Sequence, residues 1–460
     1  MGEALKPSNI ADRVRKAINR LSFTQTLVLG YMGLVLVSAV ILTFPFCSRA
    51  GESTPIGECI FMTTSALSGT GLVLYDTYSH WSFIGQIVIL IVIQIGGIGF
   101  MSMTVFALSF TSKKIGLRQR VTMRESVASI NGGGAVKSAR FILKGTILVE
   151  SVGAAVLCLH YIPRCGVGRG IFFAVFHSVS AFCTAGIDLM GYFEPGSSMC
   201  TVYDDVLLNL TLIILLNIGG IGFIAWDDIV HHKWHLKKYK LQSKIVLVIT
   251  LIFYIAAALL TLLLEWDDGL GFAEGVGDKV LVTSMLVTSG RDAGFAPLVV
   301  STLKPATIMI LLVLMFVGGA PGSTACGIKT TTFAVMILTI VSVFRKRKNV
   351  ECFGRRIDDA TVRNSCCVIT LYLAVVTLSA IAICGFDDQQ LTPVVFEIVS
   401  AISSCGLSMG ITAELSHISH TLLTIIMFFG RIGGITFIIS LTHGNTKTSA
   451  QLPEEKIMVG

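Results

Sequence analysis

Charge is what this chain has least of. Asp, Glu, Lys and Arg make up 14% of its 460 residues, against about 25% in an average soluble domain, which excludes an ordinary soluble fold. Twelve cysteines are present without one Cys-x-x-Cys pair, so neither a zinc ribbon nor a redox motif is written here. Cys158, Cys183, Cys326 and Cys384 lie in apolar runs and read as small buried hydrophobes; pairing among Cys47, Cys59, Cys165 and Cys200 stays open. No catalytic dyad or intramembrane His/Asp constellation appears, which leaves a membrane enzyme without machinery. His231, His232 and His235 stand among Lys233, Lys237, Lys238 and Lys240, a solvated, lipid-facing stretch rather than a metal site. No signal peptide is expected ahead of the first span, because the basic arm carrying Lys6, Arg13, Arg15, Lys16 and Arg20 is too long for an n-region.

What fills the chain instead is apolar: 53% of residues, with a mean hydropathy of +0.78. Leu27–Phe46 and Ser82–Phe110 carry no charge, and each is at least the roughly 20 residues that cross a bilayer as a helix. A polytopic membrane protein follows. The net charge of +7 does not mark a nucleic-acid surface, because the bases fall in alternate loops: the N-terminal arm, 113–140, 231–244 and 345–363. Acids such as Glu265, Asp267, Asp268, Asp387 and Asp388 occupy the others. That positive-inside pattern puts both termini in the cytoplasm of a multi-pass protein of the cytoplasmic membrane. The basic inner loops suit either anionic lipid or an acidic partner.

The chain also repeats itself. Ser65-Ala66-Leu67-Ser68-Gly69-Thr70-Gly71-Leu72 returns as Ser180-Ala181-Phe182-Cys183-Thr184-Ala185-Gly186-Ile187. It returns again as Thr288-Ser289-Gly290-Arg291-Asp292-Ala293-Gly294-Phe295 and as Ser400-Ala401-Ile402-Ser403-Ser404-Cys405-Gly406-Leu407. The last glycines of the four copies stand 115, 108 and 112 residues apart, and repeats at a fixed period define the architecture before any single motif does. Each copy closes a half-length apolar stretch (58–68, 171–183, 278–289, 393–404) lying between two longer ones (23–47 and 82–110; 141–160 and 204–226; 244–264 and 305–344; 366–385 and 419–442). A stretch too short to cross reads as a re-entrant helix with an extended return, tolerated at membrane depth only where it is buried in protein or lines a water-filled path.

The expected fold is therefore all-α: four helix–pore loop–helix repeats, with eight transmembrane helices and four re-entrant pore helices around a pseudo-fourfold pore. An arm at 1–22 precedes repeats at 23–112, 140–228, 243–345 and 365–442, and a tail covers 443–460. Four loops converging on one axis form a selectivity filter from Thr70 and Gly71; Thr184, Ala185 and Gly186; Asp292, Ala293 and Gly294; and Ser404, Cys405 and Gly406. Glycine in each permits φ > 0, so that carbonyl oxygens can replace the hydration shell of a monovalent cation, helped by the helix C-termini. One glycine near a helix end is ordinarily a C-cap; four in register are not explained that way. The pairs Gly96-Gly97 and Gly219-Gly220 suit helix packing or a narrow pore wall. Glu150, inside a span, is an ion-path residue or a helix-packing partner.

Within 305–344 the run Gly318, Gly319, Ala320, Pro321, Gly322, Ser323, Thr324, Ala325, Cys326 and Gly327 cannot stay a regular helix. It is expected to leave backbone groups unpaired and to act as a hinged gate at 318–327. Arg431 is the only charge between His420 and His443, and a mid-span guanidinium costs at least about 2.5 kcal/mol unless it meets water or a partner. Either it faces the pore, where an ion about 8 Å away feels roughly 2 kcal/mol of repulsion at an effective dielectric of 20, or it latches onto carbonyls freed at 318–327.

These motifs resemble the Trk/Ktr/HKT superfamily of potassium transporters over nearly the whole chain. Phe316–Thr332 looks like its glycine-rich intramembrane loop, Arg291-Asp292-Ala293-Gly294-Phe295 like its third filter, and Phe429-Gly430-Arg431-Ile432-Gly433 like its pore arginine segment. Eight expected spans without an extra N-terminal pair make it more similar to the Ktr branch than to Trk. The resemblance implies potassium uptake, with potassium as the only bound metal, no cofactor, a homodimer in membrane lipid, and a cytoplasmic nucleotide-binding regulatory ring of the KtrA/TrkA kind. Serine in the first filter accompanies sodium permeation in this family, and Gly71 stands there; a sodium-coupled or less selective sodium/ammonium transporter of the same architecture is the alternative. Two positions depart: Asp292 replaces a small hydroxyl residue, which is expected to alter cation affinity at the mouth, and Gly434 replaces a common proline, which is expected to loosen the last helix.

Overall fold

The computed structural model describes residues 23–99 and 135–434. The arm 1–22, most of the basic stretch 113–140, the ends of the expected spans 82–110 and 419–442, and the tail 443–460 lie outside them. The chain is mostly helical. In order, the helices that frame the site are α1 (Phe23–Thr43), α2 (Ile56–Ser68), α3 (Phe83–Ile98), α4 (Ala135–Cys165), α5 (Val167–Phe182), α6 (Val206–Gly220) and α7 (Phe223–His232). They continue with α8 (Leu241–Glu265), α9 (Val276–Asp292), α10 (Pro305–Phe316), α11 (Thr330–Phe344), α12 (Asp359–Asp387), α13 (Leu391–Ser403) and α14 (His417–Ile432).

Local chemistry starts these helices where they begin. Ser82, Asp205, Asp358 and Ser416 accept the N–H of Gly85, Leu208, Thr361 and Ser419, satisfying donors that have no intrahelical partner. Among the described residues four helices (α1, α4, α8 and α12) are long and apolar enough to cross a membrane, and five if α6 and α7 count as one. That pair is bent by 96°, so the expected straight span 204–226 is instead two helices with a corner at Ile221-Gly222. The expected span 305–344 is two helices as well, α10 and α11, separated by the glycine-rich segment. Leu36, Val37, Leu148, Leu263 and Ile381 stand exposed on the long helices, an apolar exterior that water would penalise and lipid accepts. A short hairpin, β1 (Glu351–Cys352) with β2 (Arg355–Arg356), lies in the basic loop between α11 and α12, where no strand was expected.

The half-length helices α2, α5, α9 and α13 form the centre, with Phe61, Phe173, Phe176, Phe182 and Phe396 fully buried on them. Around that centre the packing is cyclic. α3 lies on α5, α6 on α9, α10 on α13, and α14 returns to α2. Close approach needs glycine: a Cβ at Gly96, Gly219 or Gly430 would collide with the backbone of Leu67, Phe182 or Ile402. Helix packing is thus what Gly96 and Gly219 do. All twelve cysteines are free thiols; Cys47 and Cys59 donate to the carbonyls of Ile41 and Thr54.

Candidate ion pathway

The four repeated loops meet. Gly71 lies against Ala185 and Gly186, Gly186 against Gly294, Gly294 against Gly406, and Gly406 against Thr70 and Gly71. These contacts run backbone to backbone in chain order and close into a ring. The ring floors an open cavity of about 440 Å³, whose walls carry Asp76, Asp188, Ser198, Ser408 and Thr412.

Three of the loops share one construction. Gly69, Thr184 and Ser404, two residues before their filter glycines, have φ of 72°, 52° and 54°. Each following N–H bonds back across the helix end: Thr70 to the Ser65 carbonyl (2.9 Å), Ala185 to Ser180 (2.8 Å) and Cys405 to Ser400 (2.9 Å). This is the Schellman arrangement, in which a left-handed residue ends the helix and turns the chain. Gly71, Gly186 and Gly406 then take φ of 87°, 63° and 90°. The third loop differs. Asp292 remains helical, Ala293 N–H bonds to Ser289 by the ordinary helical pattern at 2.8 Å, and Gly294 is absent from the residues with positive φ. The expectation of φ > 0 at all four glycines is corrected at Gly294.

Asp292 is also displaced from its expected place. It is not on the cavity wall; its carboxylate is buried on the other side of the ring, where a Cβ on Gly220 or Gly319 would stand 2.6 or 3.2 Å from it. Arg291 Nε is 3.8 Å away. The extra helical residue carries the side chain past the mouth.

The segment between α10 and α11 lies across this side of the ring, away from the cavity. Thr324 Oγ1 donates to the Phe182 carbonyl (3.2 Å) and approaches Thr184 Oγ1 (3.4 Å); Cys326 Sγ donates to the Ser68 carbonyl (3.6 Å). Gly319 abuts Asp292, and Gly327 packs on Ser403. One loop therefore touches the inner ends of all four half-length helices. Its backbone is better partnered than expected. Ala320 N–H donates to Gly220 (3.0 Å), Thr324 N–H to Gly219 (3.4 Å), Thr330 N–H to Gly319 (3.2 Å), and the Gly322 carbonyl accepts Phe223 N–H (2.8 Å). The bend between α6 and α7 supplies all of those partners but Gly319, which lies in the segment itself. Pro321 and Ser323 form the turn, with Ser323 Oγ donating to the Ala320 carbonyl at 2.7 Å.

Arg431, near the end of α14, grips the same loop. Nη1 donates to the carbonyls of Thr324 (2.6 Å) and Ser68 (3.3 Å) and to Cys326 Sγ (3.1 Å), and Nη2 donates to the Gly96 carbonyl. Of its two readings, the latch onto carbonyls is the geometry present. Gly434, where a proline is common, packs against Leu371, Tyr372 and Phe429, so the absent ring leaves contact and not slack. Lys329 went unassigned in the sequence: Nζ donates to the Ala325 carbonyl at 2.7 Å, and a lysine inside an intramembrane glycine run was the available signal. Glu150 accepts Gln94 Nε2 on both oxygens at 3.0 Å, the packing role. His231 and His232 pair with Asp227 and Asp228, and among the described residues no group of three or more His, Cys, Asp or Glu could hold a metal.

A model of the TrkH family, described as a cation transport protein, matches residues 25–445. The chain belongs to that family. It is a membrane cation transporter and not an enzyme. The potassium/sodium uptake protein NtpJ of Enterococcus hirae is 34% identical over 97% of this chain and 99% of its own length. The Ktr system potassium uptake protein B of Bacillus subtilis is 32% identical over 97% and 99%. The crystal structure of the potassium transporter TrkH from Vibrio parahaemolyticus superposes with a TM-score of 0.72 at 17% identity, covering 91% of this chain and 84% of that one; at that identity the likeness concerns the fold.

Proposed function

We propose that this transporter takes up potassium through a pore built from four helix–pore loop–helix units, eight crossings in all, with Gly71, Gly186, Gly294 and Gly406 as its selectivity filter. The observation that carries the reading is the closed ring of those glycines at the floor of a cavity with Asp76 and Asp188 in its wall. Potassium enters from the outer cavity, sheds water against the loop backbones, and waits above the segment 318–327. Arg431 holds that segment shut. As the Ktr-named relatives suggest a system of several components, a cytoplasmic nucleotide-binding ring acting on the basic inner loops of a homodimer releases the loop. Both termini face the cytoplasm.

The test is rubidium uptake in a potassium-transport-deficient host, with and without external sodium. Saturable rubidium uptake that sodium does not replace is the expected result. Uptake of sodium in preference to rubidium would overturn the potassium reading. The second reading, sodium-coupled transport, is favoured by the potassium/sodium name of the Enterococcus relative and predicts that rubidium uptake stops when sodium is withdrawn.

A further inference from the structure

Counting nine residues back from each filter glycine gives Met62, His177, Met285 and Glu397, all buried on the half-length helices. Three residues forward from each glycine stand Leu74, Leu189, Pro297 and Met409 on the returning chain. In the second and fourth loops these two positions are bonded to each other. Leu189 N–H donates to His177 Nε2 at 3.2 Å, which places the ring proton on Nδ1, and Nδ1–H donates to the Phe173 carbonyl at 2.8 Å. Both nitrogens of the imidazole are thereby used. Glu397 Oε1 accepts Met409 N–H (3.0 Å) and Ser408 Oγ (2.5 Å), and Oε2 accepts Thr412 Oγ1 (2.8 Å).

The third loop needs no such acceptor, since Pro297 has no N–H to donate, and Met285 offers none. The first has Met62 at this depth; its tie lies at the exposed rim, where Tyr75 Oη donates to Glu58 at 2.7 Å. The ring order of the glycines makes the second and fourth loops diagonal neighbours. At this pair of positions two opposed loops are therefore clamped from behind by a buried histidine and a buried glutamate; the third is held elsewhere, by Ser289 Oγ donating to the Ala293 carbonyl and by Ser198 Oγ accepting Ala296 N–H (3.3 Å).

We propose that His177 and Glu397 are positioning residues that set the cation selectivity of the filter. Neither lines the outer cavity; each acts through the chain three residues beyond its glycine. A ring of backbone oxygens favours the larger cation only while it is kept from collapsing onto the smaller one. Clamping one diagonal fixes its width, and releasing a clamp lets sodium compete. A buried N–H stripped of its acceptor also costs enough to make the loop move and find another.

The inference rests on the potassium-filter reading above. It is tested by rubidium uptake with sodium as competitor, read as the ratio of the rubidium KM to the sodium inhibition constant at matched amounts of membrane protein. His177→Met and Glu397→Met, which install the residue of the other two loops, are expected to lower discrimination against sodium about tenfold. His177→Gln and Glu397→Gln, which keep an acceptor, are expected to restore most of it. Met62→Leu and Met285→Leu are expected to leave the ratio at its parental value. Methionine variants that reach the membrane and lose only maximal rate, with the ratio unmoved, would overturn the proposal. If those variants fail to insert, His177→Leu and Glu397→Leu, which likewise lack an acceptor and lie off the cavity wall, decide the matter by the same ratio: a shift supports the clamp, and no shift refutes it. A parent protein that does not prefer rubidium to sodium fails the function reading first, and separately.

Discussion

The third filter loop and the other three reach the same ring by different routes. In the first, second and fourth, a left-handed residue at 69, 184 or 404 ends the helix, and the glycine two positions on also has positive φ. In the third, the helix runs through Asp292 and Gly294 needs no left-handed backbone. The consequence lies on the inner side. The other loops present a glycine or a hydroxyl there, whereas the third sends a carboxylate against Gly220 and Gly319. The unit with the odd loop also has its second long helix broken, into α10 and α11, as the second unit has into α6 and α7. These two departures meet on that side of the ring, where the corner between α6 and α7 supplies the Gly219 and Gly220 carbonyls to the segment 318–327. A fourfold repeat can thus keep one ring of backbone while two neighbouring units diverge on one side of it.

The largest expected effect breaks or upholds that contrast directly. Gly71→Ser, Gly186→Ser and Gly406→Ser each place a side chain at positive φ, a strain of roughly 1–3 kcal/mol, and each new Cβ also meets a neighbouring loop's backbone. Rubidium uptake should fall to background in all three. Gly294→Ser meets only the contact with Gly406, 2.8 Å away, and should retain measurable uptake with relaxed selectivity. Equal loss in all four would show that backbone conformation does not separate the third loop from the rest.

A smaller effect concerns the barrier. Hydrogen bonds from a charged donor contribute about 1.5–3 kcal/mol, so Arg431→Gln should speed uptake about tenfold or more as the grip on Thr324 and Ser68 loosens. Arg431→Lys keeps the charge without the planar fork and should also run fast. A lysine variant that transports at the parental rate would point to charge and not to the latch. Shortening the segment 318–327 should raise flux in the same way, and a well-folded deletion no faster than the parent argues against a barrier there.

The smallest effect is one of stability and differs in sign between loops. Ser404→Gly relieves a left-handed non-glycine residue and should stabilise by about 1 kcal/mol, while Asp292→Gly, which puts glycine in a helical position, should be less stable than Asp292→Ala by about the same amount. Thermal melting in detergent reads both. An Asp292→Gly variant more stable than Asp292→Ala would mean that the third helix also prefers to end in a left-handed residue.

Much of this was legible because the repeat is written in the residues. Short apolar runs closed by a glycine appear four times, and the half-length stretches expected at 58–68, 171–183, 278–289 and 393–404 coincide with the helices Ile56–Ser68, Val167–Phe182, Val276–Asp292 and Leu391–Ser403, which start two residues earlier in three cases and four earlier in the second. The 96° corner after α6 was not legible, because a glycine pair in an apolar run reads equally well as a helix-packing contact. Nor was the clamp on the second and fourth loops, since a buried histidine and a buried glutamate in apolar helices become informative only once their partners are known.

Sequence alone determined the class of molecule: apolar length, alternating basic loops and a fourfold glycine pattern depend on composition and period, which need no neighbours. It also marked Arg431 as a charge requiring a partner, without naming one. Tertiary structure decided which partner, because Thr324 lies 107 residues away and Ser68 lies 363 away. It decided as well that Asp292 lies beside Gly220 and that the glycine-rich segment is hydrogen-bonded to the carbonyls of Gly219 and Gly220, since both glycines belong to a different unit of the chain. A backbone group's need for a partner is local; the identity of the partner is set by what the fold brings within about 3 Å.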